Sequence, residues 1–321
     1  MLDKIDQKLL NYLYHNNRET YAAIAKKTNL TREQVSYRIN KYVKDGIIRK
    51  FFSIFNYKSL GYHYHIHVFI TFEDNESKDR FIKLQSKNIL SWGFAYAKYD
   101  IYANYIFRDE KESNEYISTM MKDIKIRDLK IIRPMESTLY PLKFIRNNRE
   151  EEINIIRGGH TIVLDNNEKK ILSILEENSR ARIVDIANQL NISGELALYK
   201  TRKLFKDKIV LGSRIQFNMS KLGYYFTLVL VNSSISEENK KKIVMHCKAS
   251  QNINSLIIQL NNPNYIIQLF HQSGKELRKE IEELRGLLNN KVDIEVIPIG
   301  EEIPLINTLP FIGRRPKSLF S

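Results

Sequence analysis

Between Thr31 and Lys44 the chain sets amide, phenol, guanidinium and ammonium groups at short intervals: Gln34, Tyr37, Arg38 and Lys41, with Arg32 just before them. Groups of this kind pair with base edges and neutralise phosphates, so the chemistry they fit is nucleic-acid recognition. Arg49 and Lys50, a few residues on, suit phosphates. His63, His65 and His67 alternate along a predicted strand and raise a metal reading. Neighbours on one strand face are nearly 7 Å apart and the outer two ~13 Å, too far for three to share one ion at ~2 Å Zn–N bonds. They fit better as polar residues lining a sheet interface or an effector cleft. No GxGxxG or GxxxxGK[ST] appears, and no spacing of Ser, His and Asp suggests a triad. Cys247 lies among apolar residues of a predicted helix and reads as core. No catalytic residue, metal or cofactor is expected.

The elements that must hold these groups can be traced from the apolar pattern. Leu2–Leu13 reads as a helix with Ile5, Leu9, Leu10 and Leu13 inward. From Arg18 to Ile48 two short helices are joined by a turn at Asn29-Leu30, with Ile24 and Ala25 buried on the first. Thr31 is the predicted N-cap of the second, with Glu33 and Gln34 behind it. Val35, Ile39 and Val43 are its apolar face, and Asp45-Gly46 ends it, Gly tolerating a left-handed cap. An apolar back with a polar, basic front suits a helix in a major groove. A solvated amphipathic helix would look similar. The β-rich Ile47–Phe55 that follows is expected to be a wing.

Charge points the same way. The chain has 51 Lys+Arg against 37 Asp+Glu, a net of +14, and pI ≈ 9.5. Residues 1–60 carry +7 of this and residues 164–223 another +4, so the basic character is concentrated where the reading helices are. An anionic partner, nucleic acid or membrane surface, follows. One cysteine excludes an internal disulfide framework. No apolar run approaches ~18 residues, and the N-terminus has no signal-peptide order, so a cytoplasmic protein with no membrane partner is expected.

From Tyr62 the period becomes two. Strands at 62–72, 89–97, 101–107 and 125–135, with helices at 75–87 and 111–122, follow the order βαββαβ. That is a four-stranded antiparallel sheet with both helices on one face, a ferredoxin-like module. The other face needs a partner. A constant offset of 162 then aligns Leu2–Tyr62 with Leu164–Tyr224 without a gap. Arg18 meets Arg180, Asn29 meets Asn191, and Leu60-Gly61-Tyr62 meets Leu222-Gly223-Tyr224, so the chain is a duplication. The expected organisation is 1–61, a first winged helix-turn-helix; 62–147, a first module; 148–163, a linker; 164–223, a second winged helix-turn-helix; and 224–321, a second module with a C-terminal tail.

These motifs resemble the Lrp/AsnC (feast/famine) transcription regulators. The resemblance rests on Leu2-Asp3…Asp6, Arg18…Ile24-Ala25, Arg38-Ile39, Asp45-Gly46-Ile47-Ile48 and Leu60-Gly61, and it covers nearly the whole chain twice. It implies an α+β protein: two winged helix-turn-helix units and two ferredoxin-like βαββαβ modules forming an intramolecular pseudo-dimer, the two sheets packed face to face. The implied partner is double-stranded DNA, with a small amino-acid effector and self-association of pseudo-dimers as further partners. Thr31, Arg32, Gln34, Tyr37, Arg38, Lys41, Arg49 and Lys50 are the DNA-binding candidates of the first copy. Ser193, Tyr199, Lys200 and Lys203 are those of the second.

The chain departs from the family in two places. The family's effector loop has a Gly followed three residues later by Asp. Ala97-Lys98-Tyr99-Asp100 keeps only the Asp, and Asn261-Asn262-Pro263-Asn264 keeps neither. Tyr99 and Asp100 are the effector candidates, Asp100 equally an ordinary turn residue. In the second reading unit Thr20, Arg32, Gln34 and Gly46 become Arg182, Gly194, Leu196 and Lys208. That unit is therefore expected to hold phosphates while the first reads bases, against the alternative that both read an imperfect palindrome. A general DNA-coating or architectural protein is the competing non-regulatory reading. A siroheme-decarboxylase-like enzyme on the same fold is disfavoured, because residues 92–104 and 253–268 hold no His or Arg to pair carboxylates.

Overall fold

The computed structural model describes residues 3–84, 86, 88–143, 152–155, 160–234, 236–303 and 309. The expected linker residues Glu150, Glu151, Gly158 and Gly159, and the basic tail residues Arg314, Arg315 and Lys317, lie outside them. The first half runs α1 (Lys4–Asn16), α2 (Tyr21–Thr28), α3 (Arg32–Lys44), β1 (Ile48–Phe55), β2 (Tyr64–Phe72), α4 (Asn75–Leu84), β3 (Ile89–Ala95), β4 (Ile101–Phe107), α5 (Glu110–Asp123), β5 (Ile126–Ile132), β6 (Glu136–Leu139) and β7 (Ile153–Asn154). The second runs α6 (Asn166–Glu177), α7 (Ile183–Leu190), α8 (Gly194–Lys206), β8 (Val210–Phe217), β9 (Tyr225–Ser233), α9 (Glu237–Ala249), β10 (Ile253–Ile258), β11 (Tyr265–His271), α10 (Gly274–Leu287) and β12 (Val292–Ile303). No helix among the described residues is long and apolar enough to cross a membrane.

The two copies do not fold as separate halves. Residues 3–60 and 160–222 make one compact unit, and 61–143, 152–155 and 223–303 make the other. Within the first unit, β1 pairs antiparallel with β8. Phe52 lies opposite Arg214, its own counterpart at the 162-residue offset, so a local two-fold relation passes between them. The expected wing strand is present as β1, and its pairing is the finding. Among the described residues β1 finds its partner in the other copy, because each reading unit contributes one strand and a lone strand leaves its backbone unpaired. Leu9, Leu13, Ile24, Val35, Ile39 and Phe55 form the first copy's core, with Ile171, Leu175, Ile186 and Ala197 in equivalent roles. Each Val, Leu, Ile or Phe among them contributes ~1.5–3 kcal/mol when fully buried.

Within the second unit each module has the expected order, β5-β2-β4-β3 and β12-β9-β11-β10. The helix-covered faces are closed by Ile66, Val68, Ile70, Phe81, Ile117 and Met120 in one module, and by Val229, Val231, Ile243, Cys247 and Leu284 in the other. The opposite faces are buried too, through His67, Phe69 and Tyr102 on one sheet and Leu228, Leu230 and Ile266 on the other. Lys130 and Glu295 belong to those opposite faces and stand 3.7 Å apart. The modules also exchange strands. The end of β12 pairs with β3, and β6, beyond its own module, pairs with β10. Ten strands therefore share one hydrogen-bonded order.

Two inward assignments shift. Ile5 and Val43 are exposed, and Tyr42 is buried in place of Val43. At 100° per residue Tyr42 returns to within 20° of Val35 whereas Val43 stands 80° away, so the four-residue step overran the helical period.

Candidate nucleic-acid interface

α3 begins in a capping box. Thr31 Oγ accepts from the Gln34 backbone N–H at 3.2 Å and Gln34 Oε1 accepts from the Thr31 N–H at 2.9 Å. Asn29, left-handed at φ 58°, turns the chain out of α2 so that this cap forms. Gly46, at φ 66°, closes the other end, where Lys221 of the second copy donates to the Asp45 carbonyl at 2.6 Å. The face opposite Val35, Ile39 and Tyr42 carries Gln34, Tyr37 and Lys41, all exposed, and Arg32 is exposed in the first turn, on the side of Ile39. Among the described residues Lys41 and Arg32 meet no ion-pair partner.

Arg38 is placed differently. Its guanidinium pairs with Asp3 at 3.2 Å and with Asp6, and Asp6 also accepts from the Tyr42 hydroxyl. Asp3 and Asp6 are themselves the capping box of α1. The family-like Asp3…Asp6…Arg38 pattern thus fastens α3 to the start of α1, a role the sequence reading did not assign to the two aspartates.

In the second copy Ser193 caps α8, its Oγ accepting from the Leu196 N–H at 3.2 Å. Tyr199 is exposed. Lys200 pairs with Asp165, and Lys203 pairs with Glu168 at 2.8 Å. The Lys200 hydrogen bond holds the Asp165 carboxyl below its usual range, and the Glu168 hydrogen bond raises the Lys203 ammonium. Glu168 is the counterpart of Asp6, and its extra methylene reaches the lysine that Asp6 leaves alone in the first copy. Leu204 stands where Tyr42 stands, so no hydroxyl competes for it. Among the described residues Arg202, exposed on the outer face, meets no ion-pair partner. It is equivalent to Asn40, a pair the sequence reading passed over; Lys206 in the last turn is exposed too.

Arg49 and Lys50 sit on β1 and are half-buried. Burial lowers the Lys50 ammonium, with Glu176 partly compensating. Tyr99 is 2% exposed, its ring packed on Phe69 at 5.1 Å. Asp100 Oδ2 accepts from the Phe72 N–H at 2.9 Å, and Oδ1 is 3.9 Å from Lys78. Asn264 does the same work in the second module, accepting from the Ser233 N–H at 3.0 Å. Ala97 holds φ 88°, so the loop keeps a glycine-like bend without the glycine. His65 bonds Asn104, and His67 Nδ1 lies 2.7 Å from the Tyr102 hydroxyl. Among the described residues His65 Nδ1 and His67 Nε2 are buried without a hydrogen-bond partner.

Two winged helix-turn-helix units with outward basic helices define a DNA-binding protein, and the comparisons agree. A family model described as winged helix-turn-helix DNA-binding matches residues 2–49 and again 164–210. An uncharacterized HTH-type transcriptional regulator of Pyrococcus furiosus is 33% identical over 136 residues, 40% of this chain and 90% of the relative. Another, from Pyrococcus horikoshii, is 34% identical over 127 residues, 39% of this chain and 85% of the relative. Each relative thus corresponds to about half of this chain. A solved siroheme decarboxylase, NirDL, superposes with a TM-score of 0.65 over 94% of this chain and 92% of its own, at 14% identity, a likeness of fold alone. The chain belongs to the Lrp/AsnC family of helix-turn-helix transcription regulators, in tandem-duplicated form. It is a DNA-binding transcription regulator.

Proposed function

We propose that the chain is a cytoplasmic, non-enzymatic regulator that binds double-stranded DNA sequence-specifically through both reading helices at once. The observation that carries this is the outward face of α3, where Gln34, Tyr37 and Lys41 are exposed, with Arg32 exposed in the first turn, while Arg38 ties the helix to α1. Gln34 and Tyr37 address base edges, Arg32 and Lys41 address phosphates, and Thr31 sets the helix start. In the second copy Ser193 sets the start and Tyr199 faces the groove, while Lys200 and Lys203 brace α8 against α6. Arg49 and Lys50 act in the β1–β8 seam rather than as wing contacts. Two linked helices gain affinity from the second contact being intramolecular.

The Tyr99–Asp100 turn enters this reading as structure. An amino-acid effector clamped there would have to displace the Phe72 N–H from Asp100, so operator affinity is expected not to respond to free amino acids. Selection of bound sequences from a random duplex pool, followed by footprinting of a promoter carrying the selected site, tests the proposal. A bounded footprint supports it; uniform coverage favours a DNA-coating protein.

A further inference from the structure

α3 and α8 present the same tyrosine outward, Tyr37 and Tyr199. One turn later they part company: Asn40 stands in α3 and Arg202 at the equivalent place in α8. Both are exposed. Each lies ~140° round its helix from the buried Val35 or Ala197, on the tyrosine's side. Neither side chain meets a hydrogen-bond or ion-pair partner among the described residues. In α8 this matters more, because Asp165 and Glu168 already hold Lys200 and Lys203. Arg202 is therefore the guanidinium that α8 keeps for a partner outside the protein.

The two groups read different bases. A carboxamide pairs in bidentate fashion with adenine N6 and N7, and a guanidinium with guanine O6 and N7. The neighbouring difference agrees: Gln34 offers an amide where the exposed Leu196 offers only methyl groups, suited to a thymine methyl. We propose that the two helices read unlike half-sites, adenine facing Asn40 and guanine facing Arg202, so that the operator is not a palindrome. This rests on the DNA-reading role proposed above.

The test is selection from a random duplex pool with the full chain and three variants, Arg202→Asn, Asn40→Arg and Arg202→Lys, followed by titration on the selected sites. The wild type should enrich two unlike half-sites. Arg202→Asn should turn one guanine position to adenine, leave the other half-site unchanged and bind the original site about tenfold more weakly. Asn40→Arg should make the converse change, bringing the site closer to an inverted repeat. Arg202→Lys keeps the charge and should lose the guanine preference while retaining affinity for random DNA. A symmetric wild-type site would overturn the inference. So would an Arg202→Asn variant weakened equally on selected and random duplexes, which would make Arg202 a phosphate contact. A wild type that enriches no sequence would instead remove the DNA-reading role itself, together with this inference.

Discussion

Arg18 and Arg180, equivalent residues of the two copies, each cap the loop of the other. Arg18 donates to the Ser179 carbonyl, and Arg180 donates to the carbonyl of Asn17 and, at 3.2 Å, to that of Glu19. Aromatic faces carry the two guanidinium groups, Phe205 under Arg18 at 5.3 Å and Tyr21 under Arg180 at 5.1 Å. Burial lowers both from their ordinary value, and for Arg18 the nearness of Arg180 adds to it. Arg180→Met should therefore cost about 2 kcal/mol in urea unfolding, because two carbonyls lose a charged donor. Arg180→Lys should not restore the loss, since one ammonium replaces neither the fork nor the stacking plane.

The unequal pairing of Lys41 and Lys203 predicts unequal salt effects. Lys41→Ala should lower the slope of log affinity against log salt by about one, the signature of one lost phosphate contact. Lys203→Ala should leave the slope unchanged. Glu168→Gln keeps an acceptor for the Asp165 N–H but frees Lys203, and should raise the slope by about one. Titrations between low and moderate salt distinguish these outcomes.

Apart from four asparagines, two of the described residues with side chains occupy left-handed backbone that favours glycine, Lys208 at φ 54° and Ala97 at φ 88°. Gly46 occupies the position equivalent to Lys208 without that strain. Lys208→Gly and Ala97→Gly should each stabilise by up to about 1 kcal/mol, the relieved strain being partly offset by a freer unfolded chain. Denaturant midpoints at unchanged slope would check this.

The buried histidines make stability fall in acid. Burial pushes His65 down to about 4, its bond to Asn104 opposing the shift; burial and then the neighbouring His65 push His67 well below its ordinary value. In the unfolded chain both titrate near ~6.5. Their contribution is complete above that pH. Below it the unfolded chain binds protons that the folded chain refuses, so stability declines as pH falls toward 4. The slope is up to about 1.4 kcal/mol per pH unit for each histidine. Replacing both by Gln should flatten the dependence between pH 7 and pH 5 in urea titrations.

Much of this architecture was legible because duplication doubles a weak signal. Strand period, the cap at Thr31, and the Asn29 turn with its match at Asn191 follow from local chemistry that repeats at one offset; Ser193, expected among the DNA contacts, is the cap of α8. What escaped was long-range. Nothing near β1 announces that its partner is β8, since both lie in equally β-rich stretches far apart in the chain. Arg38 has the residue type and helix position of a phosphate contact; only the return of α1 brings Asp3 and Asp6 to it. Likewise Lys200 and Lys203 were chosen for charge, and the acids that occupy them lie about 35 residues earlier. Asn40 and Arg202 stand apart from the most polar stretch of each helix, and only the difference between the copies marks them.

The strand exchange explains how such divergence can persist. β3 receives its neighbour from the other module's β12, and β10 receives its own from β6, so each half arrives with a raw sheet border that only its sibling is placed to cover. Joined in one polypeptide, the two are always made in equal number and always meet. Each reading head can then drift on its own without fouling the match.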